Sequence, residues 1–267
     1  MTFLSYAVGR LAPFFVLFML AQICVRVSFI LYAGTDLTDA GGGAALAFAV
    51  GTLFDLAVFS YYAIPLLLYS LVLPQRLQGG KTDRIIGSVF FFLFTYVLLF
   101  TAVGEWLFWD EFQTRYNFIA VDYLVYTTEV IGNIRESYPV MPLMVGILLL
   151  STGFAYAHFR RPLPVRQPVL RQRLGLLVVS AALAAGSFFA ADGGKPPIGE
   201  NRFANEIAKN GIYELFSAYR HNELPYAEFY ATGDEQVLLP LLRREIGDEF
   251  AGKDINRRVY ARGPEKR

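Results

Sequence analysis

The chain has 267 residues, of which 55% are hydrophobic and 16% aromatic, and its mean hydropathy is +0.40. This composition excludes an ordinary soluble domain and predicts a membrane protein. The formal net charge of +1 argues neither for nor against nucleic acid, but no basic patch with interleaved aromatic residues is present. The single cysteine, Cys24, excludes an intrachain disulfide, and its place in an apolar run predicts a packed thiol.

Five apolar runs are long enough to cross a bilayer, which takes about 20 residues for a hydrocarbon core of about 30 Å. We predict spans at residues 11–32, 44–73, 85–108, 140–159 and 174–191. A cleaved signal peptide is the alternative for the first run, but the run is longer than a signal core and its cleavage site is poor. The predicted fold class is an all-α membrane protein, with residues 1–191 as its five-helix domain.

The distribution of arginine predicts the orientation. Residues 160–173 carry five arginines and no acid, and short arginine-rich loops beside membrane helices are retained in the cytoplasm. With the N-terminus inside, the cytoplasmic pieces hold nine Lys and Arg residues and the two short external pieces hold two. We therefore expect a multi-pass protein of the bacterial cytoplasmic (inner) membrane, with its C-terminus on the external, periplasmic side.

Residues 109–135 are too polar to span and too patterned for a plain loop. An aromatic and aliphatic stripe recurs at steps of three and four: Phe112, Tyr116, Ile119, Tyr123, Tyr126 and Val130. A charged and amide stripe runs beside it: Glu111, Arg115, Asp122, Glu129 and Asn133. The pattern predicts an amphipathic helix that lies in the external membrane interface.

After residue 191 the chain becomes polar. We predict a linker at residues 192–199, a helix at 201–220 with a broad apolar face, and a second short helix at 237–246. Residues 192–267 hold too little apolar material for a sizeable core of their own. We interpret them as an external juxtamembrane segment that leads into a further domain.

Three ionisable residues lie inside predicted spans: Arg26, Asp55 and Glu105. Charges in hydrocarbon are costly and usually face the bundle interior or water. Arg26 could pair with Asp55 as a structural bridge, and Glu105 could be hydrated near the outer boundary. Contact with a lipid headgroup is the other interpretation of all three.

The best site candidates lie in the interfacial segment: Asp110, Glu111, Arg115, Asn117 and Asp122. A solvated helix face with a Glu111–Arg115 pair four residues apart explains them equally well. The usual catalytic signatures are missing from the chain, and the two histidines, His158 and His221, are interpreted as interfacial or solvated. Neither histidine has a third ligand nearby in sequence, so no catalytic residue or metal ligand is assigned.

The segment Phe112–Pro139, FQTRYNFIAVDYLVYTTEVIGNIRESYP, resembles the signature between the third and fourth spans of the lipoteichoic acid synthase-like proteins. Asn117–Leu124 is the most specific part of the match. These proteins are membrane phosphoglycerol transferases whose catalytic domain belongs to the sulfatase/alkaline phosphatase superfamily. Asn205–Thr232 is similar to the juxtamembrane segment that precedes that domain. Together with the five-span layout, the resemblance covers essentially the whole chain.

The resemblance implies that an α/β catalytic domain follows Arg267, with a threonine nucleophile and a divalent metal, typically manganese. The threonine would attack a phospholipid such as phosphatidylglycerol, release diacylglycerol and pass phosphoglycerol to an envelope glycan or glycolipid. The chain itself would hold no cofactor. It would anchor the enzyme and position the lipid, with Arg115 at the phosphate and Asn117 and Asp122 at the glycerol hydroxyls.

Two alternatives stay open. A phosphoethanolamine transferase shares the five spans and the external phosphatase-like domain but differs in substrate. A small transporter, or a non-enzymatic membrane partner, would treat Arg26, Asp55 and Glu105 as a polar path. The odd number of spans predicted for this chain and the lack of a detectable repeat count against the transporter.

Overall fold

The computed structural model describes residues 3–34, 43–125, 127–161, 170–190, 201–220 and 240. Within them the chain is helical, without a strand, and this confirms the predicted all-α fold. The helices are α1 (Phe3–Ala33), α2 (Gly43–Val72), α3 (Lys81–Phe112), α4 (Phe118–Val125), α5 (Thr127–Ser137), α6 (Val140–Arg160), α7 (Leu170–Ala190), α8 (Arg202–Ile207) and α9 (Gly211–Arg220).

Four helical stretches are long and apolar enough to cross a membrane: Gly9–Ala33, Gly43–Val72, Lys81–Phe112 and Val140–Arg160. They coincide with the first four predicted spans, and a membrane-embedded chain is therefore supported. Helix α7 occupies the position of the predicted fifth span but is not among the four, and its first turn carries Arg171 and Arg173. The fifth span stays a prediction.

The long helices pack around α1. Helix α1 contacts α2 and α3, while α6 packs along α3 and α7 packs along α2. Aromatic rings fill the centre, with Phe14 edge-on to Phe91 at 4.7 Å between ring centroids and Tyr62 edge-on to Phe94 at 5.3 Å. Such edge-to-face pairs stabilise a core beyond the apolar area that they bury.

Two residue environments differ from the sequence predictions. Cys24 is exposed, because no helix among the described residues covers its face of α1, so the packed thiol was wrong. His158, in the last turn of α6, is buried and stacks on Phe91 at 4.6 Å between ring centroids, so the solvated interpretation was wrong as well.

The interfacial segment is interrupted after α3 and does not form the one continuous helix predicted at 109–135. Helix α3 continues to Phe112 and ends at Gln113, which adopts a left-handed backbone conformation with φ of 52°. The Asn117 side chain then accepts a hydrogen bond from the Ile119 amide at 2.9 Å and so caps α4. Trp109, in the last turn of α3, is fully buried and stacks on Phe29 at 4.1 Å between ring centroids.

The predicted helix at 201–220 is divided into α8 and α9. Asn201 caps α8 by accepting from the Ala204 amide at 3.0 Å, and Asn210 caps α9 by accepting from the Tyr213 amide at 3.1 Å. The predicted apolar face is buried at Ala204, Ile207 and Ala208, which pack against α1 and α3. Several predicted segments lie outside the described residues: the linker at 192–199 and His221. Of the arginine-rich segment 160–173 the structure describes Arg160, Arg161, Arg171 and Arg173, and of the second short helix only Pro240.

Candidate functional site

A fully enclosed ion pair joins α1 to α2. Arg26 Nη1 donates to Asp55 Oδ2 at 2.7 Å and Nη2 donates to Oδ1 at 3.1 Å, so the guanidinium meets the carboxylate with two parallel bonds. Both side chains have 0% exposure. The predicted pairing of Arg26 with Asp55 is confirmed.

A glycine makes room for this pair. Gly51 lies one turn before Asp55 on α2, and a Cβ atom there would come within 2.5 Å of the Arg26 guanidinium. Any larger residue would push Arg26 out of line with the carboxylate. The position of the arginine is therefore set by the sequences of both helices.

The helices after α7 complete the bonding of this pair. Asn210 Nδ2 donates to Asp55 Oδ1 at 2.8 Å and to Gln22 Oε1 at 3.2 Å. Arg26 Nε donates to the Ile207 carbonyl at 3.1 Å, which satisfies an acceptor at the C-terminus of α8. We call Gln22, Arg26, Asp55 and Asn210 the Arg26 cluster; it links α1, α2 and the α8–α9 turn.

A second enclosed ion pair lies beside the first. Arg115 donates from Nη1 to Glu105 Oε1, and its guanidinium lies over the Phe29 ring at 4.7 Å from the centroid. Arg115 and Glu105 have 0% and 2% side-chain exposure. Glu105 is thus a buried partner of Arg115, and the expectation that it is hydrated was wrong.

The segment between α3 and α4 is bonded to α8 through Glu206. The Arg115 amide and the Thr114 hydroxyl both donate to Glu206 Oε2, at 2.9 and 2.8 Å, and Arg115 Nε donates to the Glu206 carbonyl at 3.3 Å. We call Glu105, Thr114, Arg115 and Glu206 the Arg115 cluster. Burial raises the pKa of Glu206, but the Lys209 ammonium and these donors outweigh burial and hold it below its ordinary value.

The two clusters meet at the start of α9. A Cβ atom on Gly211 would come within 2.2 Å of Glu105 Oε1, so only glycine lets α9 begin against the Glu105 carboxylate. Gly211 follows Asn210 of the Arg26 cluster directly in sequence. The α8–α9 turn therefore touches both ion pairs.

The sequence-predicted site residues fall into two groups. Arg26, Asp55, Glu105 and Arg115 come together in the two clusters. The other candidates lie apart from them: Asp110 accepts from the Tyr138 hydroxyl at 3.0 Å, Asn117 caps α4, and Glu111 and Asp122 are exposed. The predicted Glu111–Arg115 pair is replaced by Glu105–Arg115.

Sequence reasoning missed Gln22, Glu206 and Asn210. The first has no charge, and the other two were assigned to an external tail. The dipeptide Asn210-Gly211 is a turn signal that could have predicted the break between α8 and α9. No local signal would have predicted that this turn enters the bundle.

A third polar cluster lies near the start of α1. Arg10 donates from Nη1 to Asp83 Oδ1 at 3.0 Å, and the same carboxylate accepts from the Tyr69 hydroxyl at 2.9 Å and from the Gly79 amide at 2.8 Å. We call Arg10, Tyr69, Gly79 and Asp83 the Arg10 cluster. It joins α1 to the first turn of α3 and to the turn after α2.

The part of the chain that the structure describes holds no group of three or more His, Cys, Asp or Glu side chains placed to bind a metal ion. The buried carboxylates of Asp55 and Glu105 are each bonded to an arginine instead. This donor set does not fit a divalent cation, so no chemical step is derived through a metal at these residues.

No protein-family model, curated protein or solved structure matches this chain. The resemblance to the lipoteichoic acid synthase-like proteins, carried by residues 112–139 and 205–232, therefore stays a prediction.

Proposed function

We propose that this chain is the membrane-anchoring and lipid-positioning part of a phosphoglycerol transferase. In this proposal it crosses the bacterial cytoplasmic membrane five times, with α7 as the last span and the C-terminus outside. A catalytic domain of the sulfatase type would follow Arg267 and take phosphoglycerol from phosphatidylglycerol. The observation that carries the proposal is the attachment of the α8–α9 turn to both buried ion pairs.

That attachment supports a positioning role. Asn210 and Ile207 bond to the Arg26 cluster, and Glu206 bonds to the α3–α4 segment. Residues 201–220 are therefore held on the bundle instead of forming a free tether. A fixed segment lowers the entropic cost of holding a catalytic domain over its lipid substrate.

The enclosed ion pairs favour anchoring over a polar transport path. Arg26, Asp55 and Glu105 are the residues that a transporter would use, and each is bonded within its cluster and almost fully buried. Arg115 is held the same way, so we assign to it the attachment of α8 in place of direct contact with a lipid phosphate. Replacing Arg115 would then act through the placement of α8.

The test is a lipid product assay with the full-length protein in phosphatidylglycerol vesicles and manganese. We expect diacylglycerol to appear on thin-layer chromatography. Asn210→Ala, which removes the bonds to Asp55 and Gln22, should lower the rate severalfold. The exposed α8 residue Arg202 supplies the control, because Arg202→Ala leaves those bonds intact.

Three outcomes would count against the proposal. Diacylglycerol released only from phosphatidylethanolamine vesicles would favour the phosphoethanolamine transferase. No release from either lipid would remove the transferase role. A reporter fused after Arg267 that proves cytosolic would contradict the five-span layout.

A further inference from the structure

A groove of about 570 Å³ runs between α2, α7 and α9. Its walls include Val58, Tyr61 and Pro65 of α2, Phe188 of α7, and Phe216 of α9. These side chains are apolar or aromatic, and Phe216 is 66% exposed. The groove is separate from the three polar clusters.

Two of the tyrosine hydroxyl groups in the walls are already bonded to the protein. Tyr61 donates to the Ala184 carbonyl at 2.6 Å, and Tyr213 donates to the Ser187 carbonyl at 2.6 Å. Their rings therefore present carbon surface to the groove. A polar solute would gain little from such walls, whereas a hydrocarbon chain would bury apolar area there.

The lining of the groove also includes a cation, Arg220. The Arg220 guanidinium lies over the Phe188 ring at 3.8 Å from the centroid, and Nη1 donates to the Phe188 carbonyl at 3.2 Å. From Val58 to Pro65 the wall follows α2 for about 10 Å, at 1.5 Å per residue. A cation beside an apolar wall that follows a membrane-crossing helix matches a molecule with an anionic head and a hydrocarbon tail.

We propose that this groove binds a glycerophospholipid, with an acyl chain between α2, α7 and α9 and the phosphate at Arg220. Arginine suits that role because its planar guanidinium binds phosphate through two oxygens. The choice of phosphatidylglycerol as the lipid rests on the function proposed above. The acyl-chain site itself rests on the groove and on Arg220.

The first experiment measures lipid retention by native mass spectrometry of the full-length protein in detergent, with phosphatidylglycerol added. We expect one tightly bound lipid per chain. Ser217→Trp, which places an indole in the groove, should abolish that binding. The control is Val179→Trp on α7, an exposed position that is not part of the groove.

The role of the Arg220 charge in binding the phosphate is tested separately. Arg220→Gln should weaken phosphatidylglycerol binding about tenfold, as the loss of one charge-assisted hydrogen bond implies, and Arg220→Lys should weaken it less. Arg202→Gln removes an exposed cation from α8 and should leave binding unchanged. Equal binding by the Arg220→Gln variant and the parent would overturn the phosphate site.

The occupant is identified with a photo-crosslinking amino acid at position 216, in membranes. Crosslinks to phospholipid support the proposal. Crosslinks to the chain's own residues 221–239, or to a second copy of the chain, would overturn it, because the groove would then hold protein.

These results are distinguishable from a failure of the transferase role. The protein could retain a lipid that Ser217→Trp abolishes and still release no diacylglycerol. That result would support the groove site and contradict the transferase role. The protein could instead release diacylglycerol at a rate that Ser217→Trp does not change, and retain no lipid. That result would contradict the groove site and support the transferase role.

Discussion

Two arginines of α1 make the same kind of bond in different surroundings. Arg10 and Arg26 are sixteen residues apart, about 24 Å along the helix, and each pairs with an aspartate of a neighbouring helix. The Arg10 side chain keeps 13% of its surface exposed, and Asp83 has two other donors nearby. The Arg26 pair has no exposure at all.

The two clusters also differ in which helices they join. The Arg10 cluster lies within the first three helices and the turn after α2, and the buried Asp83 carboxylate has the Tyr69 hydroxyl and the Gly79 amide as donors besides Arg10. The Arg26 cluster joins residues up to 188 positions apart in sequence, because Asn210 donates to Gln22. Of these two clusters, the Arg26 cluster is the one that bonds to the α8–α9 turn.

The largest effect is expected from Asp55→Ala. The substitution leaves the Arg26 cation without its carboxylate, and an unpaired buried charge costs about 3–5 kcal/mol. We expect a strongly lowered midpoint of thermal unfolding in detergent. The double variant Arg26→Met with Asp55→Leu removes both charges and should recover most of the loss.

The control for Asp55→Ala is Leu53→Ala on the same helix, where the side chain is 66% exposed. It should change the midpoint little. An Asp55→Ala midpoint equal to that of Leu53→Ala would contradict the view that the pair is enclosed.

A smaller effect is expected from Gly211→Ala. The new methyl group would meet the Glu105 carboxylate at 2.2 Å, and Glu105 can move only by loosening its bond to Arg115. Overpacking of this kind costs about 1–3 kcal/mol. Faster proteolysis within α8 and α9, together with a lower unfolding midpoint, would report the loosened turn.

Gly146 of α6 supplies the matched control, because nothing lies within 4 Å of a Cβ atom placed there. Gly146→Ala should leave the midpoint unchanged or raise it, since alanine is the better helix former. If both glycine variants behaved alike, the close approach of Gly211 to Glu105 would carry no energetic weight.

The membrane helices and one of the ion pairs were predictable from local information. Apolar runs of about 20 residues predict spans without reference to the rest of the fold. Arg26 and Asp55 stood out because a charge in hydrocarbon needs a partner, and each was the other's nearest candidate. The structure confirms that pair.

The Arg115 cluster was not predictable in the same way. The helical periodicity of residues 109–135 was real, but Gln113 and Asn117 end one helix and start the next, so the stripe is not one continuous face. Glu206 and Asn210 belong to a polar stretch whose composition is typical of an exposed tail. Their burial depends on contacts with α1, α2 and the α3–α4 segment, which local patterns do not encode.

The smallest effect is expected from Arg10→Met, which removes the cation of the Arg10 cluster. Asp83 keeps its bonds to the Tyr69 hydroxyl and the Gly79 amide, and the site lies close to the start of α3. The loss of unfolding free energy should be smaller than that of Arg26→Met, because Asp83 keeps these two donors and the Arg10 side chain is 13% exposed. Thermal unfolding of Arg10→Met beside Arg26→Met measures the contrast directly, because both variants remove an α1 arginine from an aspartate. If Arg10→Met lowered the free energy of unfolding as much as Arg26→Met, the distinction between the two clusters would be contradicted.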